Sequence, residues 1–133
     1  MKKYLSILFL IFLCLGCGEN AIKMEAYFKD DNKNRIKTYS FDESIMEDDI
    51  IKHGKKQMNT AGRLTAVYYY PKGAKIPRTG VQNAQDIFYA NTVIDMYAEE
   101  IDYVYMIGQD GKHYFANCIE NPDDDWCVNN SGL

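Results

Sequence analysis

Three prolines and a single tryptophan in 133 residues, only two histidines and no surplus of positive charge set the first limits on this chain. Lys and Arg number 15 against 19 Asp and Glu, for a formal net charge of −4. Nucleic acid is excluded as a partner on that balance, because phosphate binding is driven by Lys and Arg displacing counterions. His53 and His113 alone could act as acid or base near neutral pH, and neither lies in a nucleophile motif. The chain has no G-x-S-x-G, no phosphate-binding glycine loop and no H-E-x-x-H. The acidic pairs Asp48-Asp49 and Glu99-Glu100 are adjacent in sequence, so on helices they point in different directions and read as solvated faces. The expectation is a non-enzymatic protein with no catalytic residue and no cofactor. A length near that of one typical domain implies a single core.

Long hydrophobic runs are absent except at the start. Lys2 and Lys3 precede an apolar run from Tyr4 to Leu15, the charged and hydrophobic regions of a secretory signal. As a helix this run would reach only ~18 Å, against roughly 30 Å of hydrocarbon, which favours a cleaved leader over a permanent span. It ends in Cys14-Leu15-Gly16-Cys17, which resembles the lipobox of bacterial lipoproteins, with Cys14 standing where Leu is usual. The resemblance implies removal of residues 1–16 by a type II signal peptidase and acylation of Cys17. It covers only the leader and is silent on the domain that follows. Several acyl chains would anchor the protein stably to a membrane. In a host with an enteric-type sorting rule, the absence of Asp after Cys17 implies the outer membrane, facing periplasm or surface. Residues 17–23 then form a tether reaching at most ~20 Å, and 24–133 form one α+β domain held near the membrane.

Cysteine is scarce beyond the leader: apart from Cys17, only Cys118 and Cys127 remain. Two exported thiols suggest one disulfide, which closes a loop containing the turn-forming Asn121-Pro122 pair. A metal site built from His113, Cys118, Cys127 and Asp123 to Asp125 is disfavoured. On a strand, positions 113 and 118 point to opposite faces, and the closely spaced ligand pairs of a zinc site are missing. No metal is expected.

Runs at Met24–Phe28 and Arg35–Phe41 around the polar segment Lys29 to Asn34 predict a β-hairpin. Asp30, Asn32 and Asn34 mimic the first ligands of a calcium loop, but Arg35 stands where Gly is needed and Phe41 where the bidentate Glu is needed, so a turn is the reading. Ser40 and Glu43 form a capping-box pattern leading into a helix over roughly 43–60. Gly54 is its weak point, marking close packing or a break, and His53 reads as a solvated surface residue. Arg63 to Tyr70, stopped by Pro71, predicts a strand buried on both faces. Thr79 and Gln82 suggest a capping box for a second helix, with Ala84, Ile87, Phe88, Ile94, Tyr97 and Ala98 on one packed stripe. Ile101–Ile107 and Lys112–Cys118 flank Asp110-Gly111, a type I′ hairpin signal. A two-residue turn there pairs Ile107 with Tyr114, Tyr105 with Ala116 and Tyr103 with Cys118. The expected fold is α+β, order ββαβαββ, with two helices on a sheet of about five mainly antiparallel strands.

By elimination, the functional expectation is a membrane-anchored interaction module with an envelope protein as partner: a surface-exclusion, inhibitor or immunity protein, or an accessory subunit of an envelope complex. The disulfide-closed loop presents Asp123, Asp124, Asp125 and Trp126 as a partner-binding surface, an aromatic anchor with a negative rim. The bland alternative folds Trp126 onto the core and leaves the acids to solvate the tail. A second class, binding of a glycan, a peptidoglycan fragment or another small ligand, is suggested by the 11 tyrosines. Since Tyr68, Tyr69 and Tyr70 alternate faces on a strand, at most two share a platform.

Overall fold

In a computed structural model, residues 21–128 are described; the leader and Cys17 lie outside them. Five strands, β1 (Ile22–Lys29), β2 (Arg35–Phe41), β3 (Thr65–Pro71), β4 (Tyr103–Ile107) and β5 (His113–Asn117), lie side by side in chain order. β2 and β3 are parallel, and every other neighbouring pair is antiparallel. The parallel pair follows from its connection, because β2 reaches β3 through α1 (Glu47–Lys55), and a crossover with its own helix lets the chain re-enter in the same direction. α1 lies on one face of the sheet; α2 (Arg78–Gln82) and α3 (Ile87–Asp95) cover the other. A short α4 (Asp125–Val128) closes the described chain. The fold is α+β.

The strand alternation divides the core. Tyr39, Val67, Tyr69, Tyr105 and Ile107 pack with Ile50 of α1. Phe28, Ile36, Tyr68, Tyr70 and Met106 pack with Val81 of α2 and with Ala90 and Ile94 of α3. Central β3 carries Tyr68, Tyr69 and Tyr70 at 0% exposure. None of the three is available as a stacking platform, which removes that basis for a glycan surface.

Several local expectations are corrected. Ser40 does not cap α1: it belongs to β2, and its hydroxyl donates to Glu25 Oε1 at 2.7 Å, while Arg78 Nε donates to Glu25 Oε2 at 2.7 Å. α1 begins at Glu47, with Asp49 Oδ2 accepting the Met46 N–H at 3.1 Å. Three acids in its first turn and Lys52 and Lys55 in its last complement the helix dipole. The second helix is two helices, not one. α2 stops at Gln82, and Asp86 starts α3 by accepting the Tyr89 N–H at 2.8 Å, the N-cap role for which Asp is suited. This restart turns Phe88 outward at 67% exposure, off the packed stripe.

The β4–β5 register differs by one residue from the expected one. Ile107 pairs with His113, Tyr105 with Phe115 and Tyr103 with Asn117. The loop has three residues, Gln109 to Gly111, with Gly111 at φ +78° and the Gly108 N–H donating to Lys112 O at 2.8 Å. A left-handed glycine as third loop residue is the form that adds one residue to the turn, and a one-residue shift moves every side chain to the other face. His113 thereby joins Tyr105 on the α1 face, and Tyr114 joins Met106 on the other.

Candidate functional site: a cleft at one end of the sheet

The loops at one end of the sheet surround a cleft of about 570 Å³. Its floor is apolar, from Leu64, Ile87 and Met106. Tyr114 and Trp126 form an aromatic wall, Phe88 adds a third ring to the lining, and the polar lining consists of Asp30, Asn32, Asn34, Gln109 and Asp110. This combination of apolar body and a few convergent polar groups is the usual make-up of a ligand site.

Each part of the polar lining is held by its own turn. Asp30 Oδ1 accepts the Asn34 N–H and Oδ2 accepts from Asn34 Nδ2, both at 2.8 Å. Asn34 Oδ1 accepts the Leu64 N–H at 3.0 Å, fastening the first hairpin to the segment entering β3. Across the cleft, Asp110 Oδ1 accepts the Lys112 N–H at 3.0 Å, and Tyr114 O–H donates to Asp110 Oδ2 at 3.3 Å. The Lys112 backbone N–H is the main reason the Asp110 carboxyl is held below the ordinary range; the Lys112 charge and the Tyr114 hydroxyl act in the same direction. Gly108 makes room for this arrangement, since a Cβ there would lie 2.7 Å from Asp110 Oδ1.

Trp126 reaches the cleft because α4 is stapled to β5. Cys118 and Cys127 form a disulfide with Cα atoms 5.5 Å apart, and both are buried. Asp124 Oδ1 accepts the Trp126 N–H at 2.9 Å. The indole then lies against Tyr114, ring centroids 5.6 Å apart. Trp126 is therefore half-buried, packed on the core and lining the cleft at once. Asp123 and Asp125 are exposed and Asp124 serves the local turn, so none of these three acids lines the cleft. Asp30 and Asp110 supply its charge instead, the first read from the sequence as a turn residue in an incomplete calcium-loop pattern and the second as part of a hairpin turn.

The histidines lie elsewhere. His53 is half-buried rather than solvated: its Nδ1 is hydrogen-bonded to the Tyr69 hydroxyl at 2.8 Å and lies 3.3 Å from Gln57 Nε2, with the Tyr39 ring 4.6 Å away. Lys37 Nζ donates to Gln57 Oε1 at 2.9 Å. Burial first, then the charges of Lys37 and Lys56, lower the His53 pKa. His113 Nδ1 is hydrogen-bonded to Tyr105 O–H at 2.7 Å. Both groups belong to the α1 face, whereas the cleft is bounded by Met106 and Tyr114 of the other face. His113 and Cys118 lie in different layers, and among the described residues no group of three or more His, Cys, Asp or Glu side chains is placed to hold a metal ion.

The cleft and the chain entry are at opposite ends of the sheet. Ala21 O accepts the Asp42 N–H at 3.0 Å, and Ile22 pairs with Phe41. The other end of β1, at Lys29, runs into the Asp30 turn that borders the cleft. Eight residues of β1 separate them, roughly 25 Å along an extended strand. Among the described residues no helix is long and apolar enough to cross a membrane. No family model, curated protein or solved structure matches this chain.

Proposed function

We propose that this chain is a bacterial envelope lipoprotein, anchored through lipid on Cys17, which binds an envelope protein in the cleft around Trp126 and catalyses no reaction. The observation that carries this reading is the placement of the cleft at the end of the sheet remote from Ala21. A short tether running from Cys17 into Ala21 would hold that near end at the membrane and present the cleft outward. Tyr114 and Trp126, bordered by acids and carboxamides, offer an anchor pocket of the kind that concentrates binding energy in a protein interface.

The test is crosslinking of the native protein in its own envelope, with mass spectrometry of the products. A single saturable protein partner is expected, lost in Trp126→Ala; retention of that partner in Trp126→Ala would remove the cleft from the reading. Acyl labelling is expected in the wild type and absent in Cys17→Ser. An unacylated Cys17 in the wild type would remove the anchor.

The second reading is glycan binding, favoured by the carboxamides of Asn32, Asn34 and Gln109 beside three aromatic rings. It predicts thermal stabilisation by a cell-wall oligosaccharide, with no protein captured.

A further inference from the structure

Two carboxylates line the cleft, and among the described residues no Lys, Arg or His does. Asp30 forms no ion pair among the described residues; both of its oxygens take neutral donors from Asn34. The ammonium partner of Asp110, Lys112, is 3.6 Å away on a side chain 75% exposed to solvent, a contact that an incoming cation can replace at little cost. An anionic ligand would meet two carboxylates with no balancing charge in the lining. A wholly apolar ligand would strip water from the carboxylates and carboxamides of the polar lining without replacing its hydrogen bonds.

A cation on an apolar stem meets neither penalty. The floor of Leu64, Ile87 and Met106 suits methylenes, and aromatic rings such as those of Phe88, Tyr114 and Trp126 in the lining attract a cation that lies over a face. A guanidinium adds two matches that an ammonium lacks. It is flat, so it stacks on an aromatic wall, and its fork of donors suits carboxylate and carboxamide oxygens together.

Resting on the proposed role of the cleft as a partner site, we propose that it receives a basic side chain of the partner protein, arginine above lysine, with the charge facing Asp30 and Asp110 and the stem against the aromatic wall.

Trp126 is the only tryptophan in the chain, so its emission reads the cleft directly. The full-length protein in detergent micelles is titrated with a capped Gly-Arg-Gly tripeptide and with versions carrying lysine or citrulline, which keeps the arginine shape without its charge. The expected result is a saturable emission change with arginine, weaker binding with lysine, and at least roughly ten-fold weaker binding with citrulline. The arginine response should also weaken as salt is raised, because partly exposed charge pairs are screened. Asp30→Asn should reduce the difference between arginine and citrulline; the salt series on wild type gives the same answer if that variant fails to fold. Equal binding of arginine and citrulline, or no emission change with arginine, would overturn the inference. An emission change with a neutral oligosaccharide alone would also overturn it while leaving a cleft that binds glycan. Silence toward every probe, together with a crosslinked partner that survives Trp126→Ala, would remove the cleft as a site altogether.

Discussion

The backbone of Gly54 in α1 lies against the ring of Tyr105 in β4: a Cβ at Gly54 would sit 2.3 Å from Tyr105 Cγ and 2.5 and 2.8 Å from its two Cδ atoms. Glycine in a helix interior ordinarily costs about 1 kcal/mol relative to alanine. Here the cost is the condition for the helix to approach the sheet. The obstructing atoms are the root of a ring held at its far end by the bond to His113, so they cannot swing aside.

Gly54→Ala is therefore expected to destabilise the protein although it improves helix propensity. Overpacking typically costs 1 to 3 kcal/mol, and contacts under 3 Å place this site at or above the upper end. The net loss should be about 2 kcal/mol, a fall in Tm of about 10 °C for a domain of this size. Thermal unfolding followed by circular dichroism checks it, and an unchanged or raised Tm would show that α1 can lift from the sheet.

The disulfide carries a separate prediction, because it holds both the core and the cleft. Cys118 and Cys127 are nine positions apart, and closing such a loop contributes ~2 to 3 kcal/mol by the chain-entropy estimate. The double replacement by alanine should lower Tm by ~10 to 20 °C. It should also shift Trp126 emission to the red, as α4 loosens and the indole leaves Tyr114. A lowered Tm with unshifted emission would mean that the Asp124 turn alone keeps Trp126 in place.

Gly111 is a different kind of glycine. Its φ is +78° and an added Cβ would meet nothing within 4 Å, so only backbone conformation is at stake. Gly111→Ala should cost roughly 1 kcal/mol, and Gly111→Asn less, because Asn tolerates the left-handed region better. Chemical denaturation of the two variants measures the difference; equal costs would point to side-chain crowding instead.

That same loop shows where the sequence stopped being informative. Strand β2 was legible to the residue, and β3 was legible as a buried central strand, because both are short β-branched and aromatic runs ended by turn residues or proline. Asp110-Gly111 marked the hairpin correctly, yet a two-residue and a three-residue loop use the same dipeptide, and the choice between them decides the face of every β5 side chain. The α1 start was missed because Ser40 had a partner distant in sequence, Glu25. The cleft was not legible in the sequence as one site. Its residues come from the turn at 30–34, Leu64, the start of α3, the second hairpin and Trp126, and only the strand order brings them together. Of these, Trp126 was singled out in the sequence as either a surface residue or one folded onto the core, and it both packs on the core and lines the cleft; Asp30 and Asp110 read as turn residues, Asp30 with an incomplete calcium-loop pattern.

His53 gives the fold a pH dependence whose sign can be stated. Burial and the charges of Lys37 and Lys56 depress its pKa in the folded state below the ordinary histidine value of 6.5, while Tyr39, Tyr69 and Gln57 complete its surroundings as neutral groups. Between the folded and unfolded pKa values the unfolded chain holds a proton that the folded chain lacks, so stability rises with pH across that interval. The contribution is complete above the unfolded value and is lost as pH falls through and below it. The carboxyl of Glu25 also titrates low, chiefly through its bond to Arg78. Its contribution is present above the ordinary glutamate value of 4.5 and fades only as pH falls below that, so the two windows separate. Tm measured from pH 8 down to about pH 5.5 should decline for the wild type, and His53→Gln, which does not titrate there, should flatten the curve. A His53→Gln protein that keeps the full slope would assign the dependence to another group.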